Sequence, residues 1–397
     1  MKQIDIVVIG QNYSTSLGLI QAAGEAGYGV GVVHSTVHPV KHQPLETKSK
    51  YVRDYIIIEN RAEENRLLSL IIDRFSSNGQ KVVLLPSDDY SAALLDRNLS
   101  ELEKYFYLPN SSNTAGEIIR CMDKGRQAKM AIEAGLPKAK CWEIVLDGGS
   151  EVAIPDGIVY PCITKPLRSI STPKTYIRRC NNGSELRELL TLINLERPCP
   201  VLIEEFINVD TEYTVPILSM GGSVVIPAVL EKFSTGSGGH KGVTIAGKVV
   251  SSLHFTDVVN KLKILIKKAE LQGIFDIELF KSGDNFFFNE LNLRYGAAGY
   301  ALTRAGVNIP ALWIEYCNNK QLLSEDFHLS DGLSFVSDKA AIESLDSGYL
   351  RLRDYRRLVS SVDFRFLVDN SDTPVNQGFR RIERRTIFYR MIKSLFA

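Results

Sequence analysis

The 397 residues carry 47 Lys plus Arg against 46 Asp plus Glu, a formal charge of +1, with 44% apolar and 23% charged side chains. A chain of this size and apolar content buries more than one core and folds as two or three domains, and its balanced charge gives no support to nucleic-acid binding. Its six cysteines have no C-x-x-C spacing and read as reduced, buried thiols; with no apolar run of 18 residues and no basic-then-apolar leader, a cytoplasmic protein is expected.

Ile4 to Ile9 is a continuous β-rich run ending at Gly10; Gln-Asn-Tyr-Ser and an amphipathic stretch from Thr15 to Ala26 follow. Gly27 stops that helix, and Gly29 to His34 is a second strand. Strand, polar turn, helix and strand in this order open a parallel α/β domain. The pattern recurs as a helix over 62–77 and a strand from Lys81 to Leu85, with Pro86-Ser87-Asp88-Asp89 at its C-terminal end. Ligands of open parallel sheets bind beyond the strand C-termini. Gly10, Gln11, Asn12 and Ser14, with Ser87, Asp88 and Asp89, are therefore candidate substrate contacts around one crevice. Helix capping by Ser and Asp accounts for the same residues. The Gly10 turn is no G-x-G-x-x-G fingerprint, which argues against a dinucleotide enzyme.

A boundary is expected near 110, where the order becomes strand-rich α+β. Short helices over 113–135 run into Gly135-Leu-Pro137, and a strand from Ile158 to Thr164 ends at Lys165-Pro166. A polar segment from Arg168 to Thr175, a strand to Arg179, a helix near 184–194 and a strand from Val201 to Ile207 come next. Strands are expected around 211–218, 223–231 and 243–250, then a helix over about 255–272 and helical structure over 299–319. The Gly-rich segment from Ser234 to Gly242 carries His240 and Lys241 and suits a lid that holds a substrate carboxylate; a surface hairpin fits it equally.

The most informative stretch runs from Phe275 to Arg294. It reads as two apolar, aromatic-rich strands joined by a Lys-Ser-Gly-Asp turn. Antiparallel pairing brings Glu278 beside Glu290, and period-two alternation puts Asn292 and Arg294 on the face of Glu290. Crowded carboxylates repel unless a cation sits between them, and Mg²⁺ (or Mn²⁺) on a nucleotide phosphate is the usual solution. Arg294 is then placed to hold a phosphoryl or acyl-phosphate oxygen. A hairpin with a solvated acidic face is the structural alternative.

An acidic residue followed about a dozen positions on by Glu-x-Asn, here Glu278 and then Glu290-Leu291-Asn292, resembles the metal-binding end of the ATP-grasp superfamily. The resemblance extends over roughly residues 4 to 320. It implies an α/β N-terminal parallel-sheet (pre-ATP-grasp) domain over 1–110, followed by α+β ATP-grasp domains. These are a small lid subdomain with linker helices over 111–200, a large subdomain with the metal site over 201–325, and a C-terminal extension with a basic tail over 326–397.

The same resemblance assigns the metal to Glu278, Glu290 and Asn292, and the α- and β-phosphates of ATP to Lys165 of Ile163-Thr-Lys-Pro166. Lys124, upstream of a helix ending in Gly135-Leu-Pro137, matches a second phosphate lysine. Glu204, Glu205, Phe206 and Ile207 match the hinge at the adenine edge, and Glu212 matches the ribose carboxylate, with Asp210 as its alternative because the spacing is one residue longer. The phosphate-covering loop departs from the family: Arg168 to Lys174 holds no glycine, leaving the hydroxyls of Ser169, Ser171 and Thr172 and the ammonium of Lys174 as donors. The segment after Asn292, with Tyr295 and Tyr300, resembles amide-forming members that join an amino acid to an amine, including D-aspartate ligase-like proteins of cell-wall synthesis. Tyr295 is placed at the acceptor site on that basis.

The implied chemistry is carboxylate activation: an acyl phosphate forms from ATP, with Arg294 and Lys165 as the catalytic cations, and an amine displaces phosphate. The expected partners are small-molecule carboxylate and amine substrates, in cell-envelope or polysaccharide precursor modification. A carboxylase or carbamoyl-phosphate-type enzyme and a non-catalytic ATP-binding sensor are the alternatives. The stretch from Phe379 to Phe396 holds five Arg and one Lys against one Glu, with aromatic and aliphatic residues between. Such a helix suits the inner face of an anionic membrane as a peripheral contact; packing on its own domain or on a homodimer partner is the alternative.

Overall fold

A computed structural model of the chain describes residues 3–11, 13–76, 79–149, 152–168, 170, 174–235, 243–319 and 327–395. The first sheet is parallel: β1 (Ile6–Gly10), β2 (Val30–Ser35), β3 (Val52–Ile58), β4 (Val82–Pro86) and β5 (Phe106–Tyr107), in the order β3-β2-β1-β4-β5. Every residue of β1 and β4 is buried, because helices cover both faces of the sheet. Ile6 and Val8 pack on the helix Tyr13–Glu25, whereas Val7 and Ile9 pack on the helices Glu64–Phe75 and Asp89–Arg97. The sequence reading passes over β3, an edge strand whose polar, half-exposed start (Arg53, Asp54) hides its β pattern.

After β6 (Asn110–Ser111), a small antiparallel sheet forms from β7 (Cys141–Ile144), β8 (Cys162–Pro166), β9 (Arg178–Cys180) and β10 (Val201–Glu205), ordered β7-β10-β8-β9. The helix Gly183–Glu196 buries Leu186, Leu189, Leu190 and Ile193 against this sheet, and the Asn182 side chain caps it by accepting from Glu185 N–H. Because β10 is hydrogen-bonded to β7 and β8, this unit runs past the boundary expected at 200.

The large sheet is built on β11 (Thr211–Met220), β12 (Ser223–Val225), β13 (Ala228–Thr235), β14 (Thr244–Ser251), β15 (Leu271–Ser282), β16 (Asn285–Asn292), β17 (Ser334–Val336) and β18 (Phe364–Arg365). Its main path is β16-β15-β11-β13-β14-β17-β18, with β12 on β11 and β6 on β15. Strands β17 and β18 come from the segment expected to be an extension, so that segment completes the sheet instead. It also packs on the first domain: Phe335, Phe364, Phe366 and Phe379 share a buried cluster with Ile6 and Val8, and Lys50 N–H donates to Asp372 Oδ1 at 3.0 Å. Among the described residues, no helix is long and apolar enough to cross a membrane.

Candidate active site

Strands β15 and β16 form the hairpin that the spacing predicts, turning at Gly283 with φ of +57°. Glu278 stands opposite Glu290, and Asp276 opposite Asn292. Phe275, Ile277, Leu279 and Leu291 pack below the sheet with the helix Thr256–Lys268, while alternation turns the acids and Asn292 to the other face. A β-bulge interrupts the ladder, since Leu279 pairs with Phe288 while Glu278 pairs with Glu290. The residue left over, Asn289, is thereby swung onto the acidic side. Its Oδ1 accepts from Lys165 Nζ at 2.8 Å and its Nδ2 donates to Glu278 Oε2 at 3.4 Å.

Cations from three other places converge on this face. Lys124, at the start of the helix Lys124–Glu133, lies 2.7 Å from Glu290 Oε1. Lys165 at the end of β8 lies 2.5 Å from Glu204 Oε2, and Lys138 pairs with the other oxygen of Glu204. Lys232 of β13 sits 3.4 Å from Glu278 Oε1 and 3.5 Å from Glu212 Oε2. Burial alone would discharge these groups, so the signs of their shifts report on the pairing. Burial pushes Glu204 up, but Lys165 and Lys138 outweigh it and hold the carboxyl at about 2. For Lys165 and Lys232 burial is likewise outweighed, by Glu204 and by Glu278 with Glu212 respectively, and both ammonium pKa values rise. For Lys138 burial wins and lowers it. Burial opposes the charge on Glu290 too, yet Lys124, Lys165 and Arg294 hold its pKa below the usual range. Asp276 differs: burial pushes it up to about 7, and its Oδ1 finds no partner among the described residues.

The hinge residues lie where β10 leaves the small sheet. Glu204 is 3% exposed and its carboxylate is taken by the two lysines, so it orients them and does not face a ligand edge as expected. Glu205 N–H donates to Lys140 O at 2.8 Å and Phe206 N–H to Pro161 O at 3.0 Å. Ile207, next in line, is half-buried. Glu212 points to the acidic face, whereas Asp210 accepts from Gly283 N–H at 2.8 Å and braces the hairpin turn.

In the first domain, Gly10 (φ +146°) passes so close to Ser87 that a Cβ would stand 2.2 Å from its Oγ. Asp88 accepts from Gln11 N–H and Ser91 N–H, both at 2.8 Å, which is the capping role. Asp89 meets Arg294 Nε at 3.0 Å, joining this crevice to the hairpin. Ser14 is half-buried beside Tyr300, Asp338 and Lys339. Tyr295 corrects its expectation: it is 1% exposed and donates to Gly299 O at 2.9 Å, a core residue and not a lining one. Tyr300 is buried likewise, donating to Glu25 at 2.7 Å. Asn12, His240, Lys241, Ser169, Ser171, Thr172 and the side chain of Lys174 lie outside the described residues. Asn289, Lys138 and Lys232 were missed: a bulge leaves no trace in composition, and buried lysines look like surface ones in a sequence.

Among the described residues no group of three or more His, Cys, Asp or Glu is placed to hold a metal. The donors at the hairpin are the carboxylates of Glu278 and Glu290 with the amides of Asn289 and Asn292. A few hard oxygens of this kind fit Mg²⁺ or Mn²⁺, which keep water and phosphate oxygens as their other ligands.

No family model matches the chain. Among solved structures, it superposes on the ADP complex of N5-carboxyaminoimidazole ribonucleotide synthetase with a TM-score of 0.64, at 18% identity, covering 89% of this chain and 88% of that one. The L-amino acid ligase from Bacillus licheniformis aligns with a TM-score of 0.58, at 15% identity, over 80% of this chain and 75% of that one. The chain has the ATP-grasp fold. A curated relative, the carbamoyl phosphate synthase large chain of Clostridium acetobutylicum, is 27% identical over 206 residues. That match spans 50% of this chain and 19% of the relative's length. The small sheet carries Lys165 and the large sheet carries the acidic hairpin, and the two meet where Lys165 bonds Asn289.

Proposed function

We propose that the protein is an ATP-dependent carboxylate–amine ligase acting through an acyl phosphate on an amino-acid-like acid. The observation that carries this reading is the cross-strand pair Glu278 and Glu290, with Asn289 beside it, under Lys124 and Lys165 from the lid side. Acids and lysines interleaved at this density suit a polyphosphate held with a divalent ion.

ATP lies with its phosphates along Lys165 and Lys124 and its adenine edge against the main chain at Glu205 to Ile207, while Glu212 takes the ribose hydroxyls. Glu278, Glu290 and Asn292 would hold a Mg²⁺ ion, which would supply charge neutralisation to the phosphates when bound. A substrate carboxylate oxygen attacks the γ-phosphorus, the bond to the β–γ bridging oxygen breaks, and ADP leaves. An amine then adds to the acyl carbon; inorganic phosphate departs with the shared oxygen and the nitrogen gives up a proton. Arg294 is placed to steady the transferring group, and the role of the chain is positioning and charge stabilisation.

The named likenesses support amide formation through the L-amino acid ligase and carboxyl activation more broadly through the synthetase and the carbamoyl phosphate synthase relative. The second reading, bicarbonate as the activated acid, is supported by likeness to the biotin carboxylase domain of the Hydrogenobacter thermophilus 2-oxoglutarate carboxylase, solved with MgADP and bicarbonate. Both are tested by ADP release across a panel of amino acids and bicarbonate, with hydroxylamine as trap. An amino-acid hydroxamate supports the ligase. ADP release with bicarbonate alone moves the assignment to carboxylation, and tight ATP binding without turnover for any acid overturns both.

A further inference from the structure

The helix Thr373–Leu395 is held by one face only. On that face Phe379 is fully buried, and Glu383 accepts from Arg365 Nη2 at 2.7 Å and from the Tyr355 hydroxyl at 2.5 Å. Arg365 continues the chain of contacts through Nε to Asp338 at 2.7 Å. Arg390, further along the same side, lies against Gly348. The single acid of the helix is therefore consumed inward.

The opposite face is open. Its cations are Arg381, Arg384 and Arg385, all exposed. Between them stand Ile382, Phe388, Tyr389 and Ile392, with Phe388 65% and Tyr389 56% exposed. Positions 381, 385, 388, 389 and 392 recur at helical spacing and form one stripe along the axis. The helix Leu352–Ser360 lies alongside, Arg356 Nη2 reaching Met391 Sδ at 3.8 Å, and adds the exposed Arg353 and Arg357.

We infer that this face is a docking surface for a bilayer of anionic phospholipid, on which the helix lies flat. The arginines meet lipid phosphates, while Phe388 and Ile392 enter the boundary between headgroups and acyl chains. Charge decides against a second copy of the chain, because a two-fold packing of the long helix on itself sets arginine against arginine, its single acid, Glu383, being turned inward. Aliphatic side chains decide against nucleic acid: Ile382 and Ile392 neither stack on bases nor bond phosphates. The inference does not depend on the ligase reading.

Flotation of the full chain with phosphatidylcholine vesicles, with and without phosphatidylglycerol, tests it. Binding to the anionic vesicles and none to the neutral ones is expected, weakening as salt is raised. The R381Q/R384Q/R385Q variant should bind roughly 100-fold more weakly, and F388S/I392S about tenfold more weakly with the salt dependence preserved. Both variants should melt as the parent does, since none of these side chains is buried. Equal partition onto both vesicle types, no binding to either, or variants that float like the parent would overturn the inference. So would tighter binding to single-stranded RNA than to vesicles, or a dimer in sedimentation velocity that F388S/I392S dissolves.

Discussion

Arg294 reaches Asp89 across 205 residues of sequence, its Nε 3.0 Å from Oδ1. Arg294 follows the hairpin that carries the acids, and Asp89 begins a helix of the parallel domain, so this ion pair ties the large sheet to the first domain. Burial works against the guanidinium charge, but Asp89, Asp276 and Asp88 more than restore it. Asp89→Ala should destabilise the protein by about 2 kcal/mol in urea unfolding, because a partly buried cation loses its nearest partner. A double-mutant cycle with Arg294→Ala should return a coupling of roughly 1–3 kcal/mol. Additive effects would show that the two residues do not act together.

Glu290→Gln keeps the size of the side chain, and its amide oxygen can still accept from Lys124, so the melting temperature should stay within a few degrees. ADP release should fall by about 100-fold or more, since the carboxylate proposed to hold the metal is lost. Retained turnover would remove the metal assignment.

Glu204 sets an acid limb of stability. Its carboxyl lies at about 2 in the folded chain against 4.5 for the free side chain, because Lys165 and Lys138 outweigh burial. A depressed folded pKa means stability fully present above about pH 4.5 and lost as the pH falls toward 2. At about 1.4 kcal/mol per pH unit this amounts to roughly 3 kcal/mol. Chemical denaturation between pH 5 and 3 should show the decline. Glu204→Gln should be less stable at pH 7, with Lys138 and Lys165 deprived of the carboxylate between them, and flatter across that window; an unchanged slope would exclude Glu204 as its source.

Gly10→Ala tests the turn of the first domain. The added methyl would stand 2.2 Å from Ser87 Oγ and 2.9 Å from Asp88 Oδ2, on a backbone whose φ of +146° suits glycine alone. A loss of about 2–3 kcal/mol is expected in thermal or urea unfolding. Wild-type stability would mean that the loop relaxes freely.

The pairing of Glu278 with Glu290 was legible because two apolar runs around Gly283 leave one register that buries Phe275, Ile277 and Leu291 together. The parallel opening domain was legible through the unbroken apolar strands β1, β2 and β4. What escaped the sequence were relationships set at long range. Glu204 was read as facing a ligand, and only the register of β8 against β10 reveals Lys165 beside it. Tyr295 follows the metal hairpin closely but turns into the core, a direction that no local pattern encodes. Asn289 depends on a bulge, which adds a residue to one strand without changing the alternation of its neighbours.

The shared cluster of Ile6 and Val8 with Phe364, Phe366 and Phe379, and the bond from Lys50 to Asp372, have a bearing on biosynthesis. A nascent chain that has delivered its opening sheet still lacks the residues that seal one side of it. Until they leave the ribosome, an oily flank awaits its cover, and premature termination there should leave a product prone to aggregate or to be degraded.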